Sequence, residues 1–171
     1  MKQLVLVVAT VLMSLTLNAQ LKIAHVNSKS LLDSLPSYKK AQSDLLKGQD
    51  SAYYELGEKQ KQIEDKYKEL NQKKNSLSPM ALQTMENEIL NMEQGAQQIQ
   101  SYWTDRLQNR EQEYLQPILN RLQESIEKVA KKKDLNYVLD VTNLLYSKTG
   151  IDITAEVKVE LAKLDAEAMK K

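Results

Sequence analysis

The residues that could do chemistry in this sequence are few, and their types point away from catalysis. There is one histidine, His25, and no cysteine among 171 residues, so a thiol nucleophile and a zinc site of Cys and His ligands are excluded. A Ser-His-Asp triad would rest entirely on His25. The sequence gives that residue neither a cleft nor a carboxylate partner, so it is read as a structural strand residue. Four glycines leave no material for a loop that cradles phosphate. Asp and Glu are mixed with Lys at intrahelical spacing, the pattern of a solvated face. No enzymatic centre, cofactor site or metal site is read.

What remains is apolar and adaptable. Tyr53-Tyr54 and Tyr102-Trp103 are adjacent aromatic pairs, and neighbours on a helix point about 100° apart. One of each pair is therefore spare for a surface other than a narrow helix seam. Met80, Met85 and Met92 add flexible, polarisable side chains suited to a surface that accepts varied shapes. Tyr54, Leu90 and Tyr102 lie just off the seam and are the strongest candidates to meet another chain. Tyr53, Met80, Met85, Met92 and Trp103 complete the set, with Met85, Met92 and Trp103 also at seam spacing.

These side chains need a scaffold, and the chain supplies a long helical one. Residues 1–19 come first, with a basic start, an apolar run from Leu4 to Leu17 and a small residue at Ala19. This is the layout of a secretory signal peptide, too short to span a bilayer, which needs roughly twenty apolar residues. The whole chain has 24 basic and 23 acidic residues, so loss of Lys2 with the leader makes the exported protein formally neutral. A neutral chain has no basic face for phosphate, so nucleic acid is not a partner.

From Pro36 to Lys133 the composition is that of long helices. Apolar residues recur at Tyr38, Ala41, Leu45, Ala52, Leu56, Ile63, Tyr67, Leu70 and Leu77. After a break at 75–79 they recur again at Leu82, Met85, Ile89, Met92, Ala96, Ile99, Trp103, Tyr114, Ile118, Leu122, Ile126 and Val129. Ser78 is placed to cap the second helix, with Pro79 at its first position. Folding the two stripes about Ser78 brings apolar residues opposite one another, Ile63 near Met92 and Leu56 near Ile99, so an antiparallel hairpin is expected. Gly48 and Gly57, near an eleven-residue stutter, are read as bending points, Gly95 as ordinary tolerance, and Pro117 as a kink.

The ends of the exported chain carry the strand signals. Lys22 to Asn27 is β-compatible, and 136–141 places Tyr137, Leu139 and Val141 on one face. A further strand is expected over 144–147, then a loop, then a helix capped by Thr154 with Val157, Leu161, Leu164 and Ala168 on one stripe. The fold class is mainly α with a small β body. The expected division is a leader (1–19), a β-containing oligomerisation body (20–35 and 134–171, with Ile23, Val26, Tyr137, Leu139 and Val141) and a hairpin over 36–133 with its tip near 75–80. So small a sheet has open edges that a second subunit would close, so more than one copy is expected.

The strand Lys22-Ile23-Ala24-His25-Val26-Asn27, the segment Leu35 to Ala41, the long hairpin with Pro117 before Ile118, and the stretch from Tyr137-Val138-Leu139-Asp140-Val141 through Asp152-Ile153-Thr154 to Val157 together resemble the OmpH/Skp family of periplasmic chaperones, over about residues 22 to 164. The resemblance implies a homotrimer with a shared barrel-like base and three tentacles around a cavity. It also implies an ATP-independent holdase that takes up unfolded outer-membrane proteins after export into the periplasm. Such relatives are often basic, with positive tentacles suited to anionic membranes or lipopolysaccharide. This neutral chain departs from that pattern, which leaves contact of the tips with membrane or lipopolysaccharide open. The alternative reading is a coiled-coil adaptor of the envelope that binds one defined partner.

Overall fold

The structure is a computed structural model that describes residues 21–146 and 150–170; the leader lies outside the described residues. In chain order the elements are strand β1 (Ile23–Val26), helix α1 (Ser28–Asp33), helix α2 (Pro36–Lys73), helix α3 (Pro79–Lys133), strand β2 (Tyr137–Asp140), a 3₁₀ turn (Val141–Asn143), strand β3 (Ile151–Asp152) and helix α4 (Thr154–Ala168). They form two compact units. One holds the described residues up to Leu35 and the described residues from Leu119 onward, and the other is Pro36–Ile118.

The second unit is a pair of helices. Helix α2 starts on Pro36, whose missing N–H costs nothing at that position. Helix α3 starts on Pro79, and Ser78 Oγ accepts the Ala81 amide at 3.3 Å, as the capping pattern required. Contacts between the helices pair Lys66 with Glu88, Tyr67 with Glu93, Glu55 with Trp103, and Gly48 with Leu107. From Tyr67–Glu93 through Glu55–Trp103 to Gly48–Leu107 one number falls as the other rises, so the helices run antiparallel. At 1.5 Å per residue, α2 is about 57 Å long. Ala41, Ala52, Ile63 and Ile89 are buried, each at a position taken from the apolar stripes. The stripe had a gap between Trp103 and Tyr114, and Leu107 and Arg110 fill it as half-buried residues. Gly48 is a point of close approach. It is buried, and a Cβ there would sit 3.1 Å from Leu107 Cδ2. Gly57 and Gly95 have nothing within 4 Å. Helix α3 is continuous through Pro117, and the boundary between the units falls at the next residue. Residues 119–133, expected in the hairpin, therefore belong to the other unit.

That first unit has a three-stranded parallel sheet in the order β2-β1-β3. In β1, Ala24 and Val26 are buried and Ile23 is exposed, the period of two that a strand imposes. The buried face packs on α4, which in turn packs on α1, and Leu31, Ile153, Val157 and Leu161 are fully enclosed. Burying each such side chain contributes about 1.5–3 kcal/mol. Helix α1 was not anticipated. It is nucleated by Asn27, whose side chain accepts the Ser30 amide at 2.9 Å.

Several expectations fail here for local reasons. The third strand is Ile151–Asp152, not 144–147. Leu144, Leu145 and Tyr146 are not in a strand, and Ser147 lies outside the described residues. Val141 opens the 3₁₀ turn rather than extending β2, because Asp140 Oδ1 accepts the Thr142 amide at 3.0 Å and turns the chain. Thr154 does not cap α4. Asp152 does so from two residues back, accepting the Thr154 amide at 2.9 Å and its hydroxyl at 2.6 Å. The buried stripe of α4 runs Val157, Leu161, Asp165, whereas Ala168 is exposed. The charge at Asp165 is tolerated because Arg121 Nη2 donates to it at 3.1 Å. Helix α3 ends on Asp134 in the left-handed region, φ 52°. Leu135 and Asp134 amides close back on Ala130 and Lys131 carbonyls, the backbone pattern that usually carries glycine.

Candidate functional site

On the helix pair, the seam needs a residue at every third or fourth position, and Ala52 and Leu56 satisfy it around the first aromatic pair. Tyr53 and Tyr54 are therefore both released, 76 % and 74 % exposed, where only one of the two was expected to be spare. The second pair divides as expected. Trp103 is half-buried and donates its indole N–H to Glu55 at 2.7 Å, while Tyr102 is exposed and packs edge-on against the Trp103 ring at 5.6 Å. Arg106 lies over both rings, 5.5 Å from Tyr102 and 5.7 Å from Trp103, and also bonds the Tyr102 hydroxyl. That cation–π contact holds the rings on the surface without burying them.

Leu90 and Met80 are exposed, whereas Met85 and Met92 are half-buried in the seam. Shallow grooves flank the pair. One runs along Met92, Gly95, Ile99 and Tyr102, a second lies beside Tyr54 and Trp103, and a third along Tyr53, Leu56, Ile63 and Tyr67. These grooves are long, open and mixed in polarity, which suits extended chains rather than a small molecule.

The lysines near the turn are largely occupied. Lys66 pairs with Glu88 at 2.9 Å and Glu69 at 3.4 Å, Lys68 with Asp65 at 3.2 Å, and Lys73 with Glu69 at 2.8 Å. These bonds raise the Lys66 pKa and lower that of Glu69, and the bond to Glu93 raises that of the Tyr67 hydroxyl. Lys131 and Lys133 are likewise engaged, with Glu127 at 3.5 Å and Glu156 at 2.6 Å. Among the described residues no cluster of His, Asp and Glu could hold a metal, and no helix is long and apolar enough to cross a membrane.

In the sheet unit, β1 pairs with β2 so that Ile23 faces Tyr137 and His25 faces Leu139. Ile23, Tyr137 and Leu139 are exposed on one face, while Val26 points into the chain's own core. Leu145 and Tyr146 add further exposed apolar surface. His25 does have a carboxylate neighbour, contrary to the sequence reading: Asp152 Oδ1 lies 3.8 Å from its Nδ1. The pairing of β1 with β3 brings the two together, and no sequence signal placed β3 at Ile151.

The pattern of the OmpH family, described as "Outer membrane protein (OmpH-like)", matches residues 22–161. The chain belongs to this OmpH-like family. A protein of Aquifex aeolicus (strain VF5) with no assigned role is 30 % identical over 148 residues, covering 84 % of this chain and 87 % of that one. The chaperone protein Skp of Photorhabdus luminescens is 27 % identical over 137 residues, covering 80 % and 82 %. The crystal structure of an OmpH-like protein from Caulobacter crescentus CB15 superposes with a TM-score of 0.67 at 20 % identity, over 87 % of this chain and 86 % of that one. A mainly helical chain with a small strand body is thus the OmpH-like fold, and the family is of chaperone type.

Proposed function

We propose that this OmpH-like protein is an ATP-independent holdase of the periplasm that binds unfolded outer-membrane proteins after export and prevents their aggregation. The observation that carries the reading is the set of apolar side chains left outside the seam of the helix pair: Tyr53, Tyr54, Met80, Leu90 and Tyr102. They are spread along both helices, so a client meets many weak contacts and no deep pocket. Weak distributed contacts hold diverse sequences and still release them. Met85, Met92 and Trp103 support the surface from the seam and change its shape as the helices adjust.

The protein works as a homo-oligomer, a trimer by analogy with the family, joined through the sheet unit while the antiparallel helices serve as tentacles. Parallel sheets are normally covered on both faces. Here the face of Ile23, Tyr137 and Leu139 is uncovered and apolar, which suits another subunit. Residues 1–19 direct export and are removed. With Lys66, Lys68 and Lys73 paired and the exported chain neutral, the tips have little to attract anionic lipid.

The test is dilution of a urea-unfolded outer-membrane β-barrel protein into buffer with the purified protein and no nucleotide. Suppression of light scattering near one trimer per client supports the holdase. No suppression, together with tight binding to one folded envelope partner, establishes the adaptor reading instead.

A further inference from the structure

Helices α2 and α3 carry Gly48, Gly57 and Gly95 in their interiors, where glycine weakens a helix relative to alanine. Gly48 has a packing reason, since a Cβ there would sit 3.1 Å from Leu107 Cδ2. Gly57 and Gly95 have none. A Cβ at either would meet nothing within 4 Å, and both lie on helical backbone that any residue adopts. Each nevertheless lines one of the long grooves beside the seam. Gly95 lies among Met92, Ile99 and Tyr102, and Gly57 among Leu56, Ile63 and Tyr67. The missing side chain leaves a notch in an otherwise apolar floor.

The two grooves share no residue and flank the seam on either side, with volumes of about 590 Å³ and 770 Å³. One follows residues 91–102 of α3 and the other residues 53–67 of α2, which at 1.5 Å per residue is about 17 Å and about 21 Å. An extended chain rises about 3.3 Å per residue, so each groove takes about five or six residues, the length of one ordinary strand. Amides form the rims. Gln62, Asn91 and Gln98 edge the groove of Gly95, and Gln60, Gln97 and Gln100 edge that of Gly57, all of them exposed. Among these only Gln62 has a side-chain hydrogen bond, accepted from Lys59 Nζ at 3.4 Å. A side-chain amide donates and accepts as a peptide group does, so the rims match the unpaired N–H and C=O of an extended backbone. Charge is sparse on both sides, Lys59 in one groove and Glu64 and Glu93 in the other, with Glu93 already bonded to the Tyr67 hydroxyl.

We propose that Gly57 and Gly95 are specificity-determining notches, each seating a large apolar side chain of an extended client segment whose backbone is held by the flanking amides. This rests on the holdase reading of the helix pair and names what that surface takes: strand-length segments in which every second residue is large and apolar. Side chains alternate along an extended chain. One set enters the notch and the apolar floor, and the other stays in water. Unfolded strands of a membrane β-barrel carry that alternation. Once the barrel has folded, its backbone groups are paired within the sheet and the rims have nothing left to bond. A helical segment satisfies its own backbone in the same way, so the grooves select for chains that have not yet paired.

The experiment is fluorescence anisotropy of a dye-labelled, urea-unfolded outer-membrane β-barrel protein, diluted and titrated with the purified protein. Wild type is compared with the double variants Gly57→Ala with Gly95→Ala and Gly57→Leu with Gly95→Leu. We expect the Leu variant to raise the dissociation constant at least ~5-fold and the Ala variant less than ~2-fold, because a methyl group fills only the floor of a notch. Both should melt at or above the wild-type temperature by helical circular dichroism, since each puts a better helix former into open space. Leucine adds apolar surface, so a groove that is merely sticky would bind the client more tightly. Binding by the Leu variant equal to or tighter than wild type therefore overturns the notches. A loss as large with Ala as with Leu assigns the glycines to helix flexibility and overturns them too. A Leu variant that melts below wild type shows that the space is not open, with the same consequence. No binding of the unfolded client by wild type overturns the holdase reading itself.

Discussion

The charge buried in helix α4 gives the sharpest stability prediction. Asp165 is 2 % exposed and bonded at 3.1 Å to Arg121, which is itself only 17 % exposed. Replacing Asp165 by Ala leaves the largely buried Arg121 guanidinium without that acceptor. Removing one partner of a buried pair costs about 3–5 kcal/mol. Arg121 keeps some access to water, so the lower end, about 3 kcal/mol, is expected. The double substitution Arg121→Met with Asp165→Leu removes both charges and fills the space. It should lie within about 1 kcal/mol of wild type, because the pair's desolvation offsets most of its attraction. The assay is urea unfolding followed by helical circular dichroism, with protomer concentration fixed since assembly contributes to apparent stability. A cost under about 1 kcal/mol for Asp165→Ala, or a double variant as unstable as the sum of the singles, refutes the reasoning.

Other outcomes follow from single positions. Changing Tyr54, Leu90 and Tyr102 together to Ser should weaken aggregation suppression severalfold while altering urea stability by less than about 1 kcal/mol, since all three are exposed. Gly57→Ala should stabilise α2 by up to about 1 kcal/mol in a thermal melt, because nothing lies within 4 Å. Gly48→Ala should gain less, because its methyl group meets Leu107 at 3.1 Å. Asp152→Ala should cost about 1 kcal/mol at neutral pH through loss of the α4 cap. The wild-type Asp152 carboxyl is held below its ordinary 3.8 by Thr154, so the cap's contribution is present above about pH 5. It is lost as pH falls through the carboxylate range, and the difference between the two proteins closes there. Tyr137→Asp with Leu139→Asp should give a folded monomer by light scattering.

The helix pair was legible because its information is periodic. A seam spaced at three and four residues fixes which side chains are enclosed, and Ala41, Ala52, Ile63 and Ile89 are buried where the spacing put them. The same logic left Tyr54, Leu90 and Tyr102 outside. It missed Arg110, because a charged residue at a seam position reads as an interruption although its alkyl stem packs well, and with that interruption it passed over the apolar Leu107 beside it. Sheet details were less legible because they depend on chain reversals that single side chains decide. Asp140 bends the chain at Val141 and Asp152 caps α4 in place of Thr154, and neither step leaves a periodic trace. The third strand, two residues long, is defined by pairing with β1 and not by its own composition. His25 shows the same limit, since its carboxylate neighbour is distant in sequence and comes close only through that pairing.

The most direct test of the central claim is the client assay with a built-in control of surface against fold. Wild-type protein and the Tyr54, Leu90, Tyr102 triple Ser variant, matched for helical signal and assembly state, are compared for suppression of outer-membrane β-barrel aggregation without nucleotide. The holdase account predicts full suppression near one trimer per client by wild type and a severalfold loss in the variant. Equal suppression by both proteins would contradict the assignment of that surface, and no suppression by either would contradict the chaperone function itself.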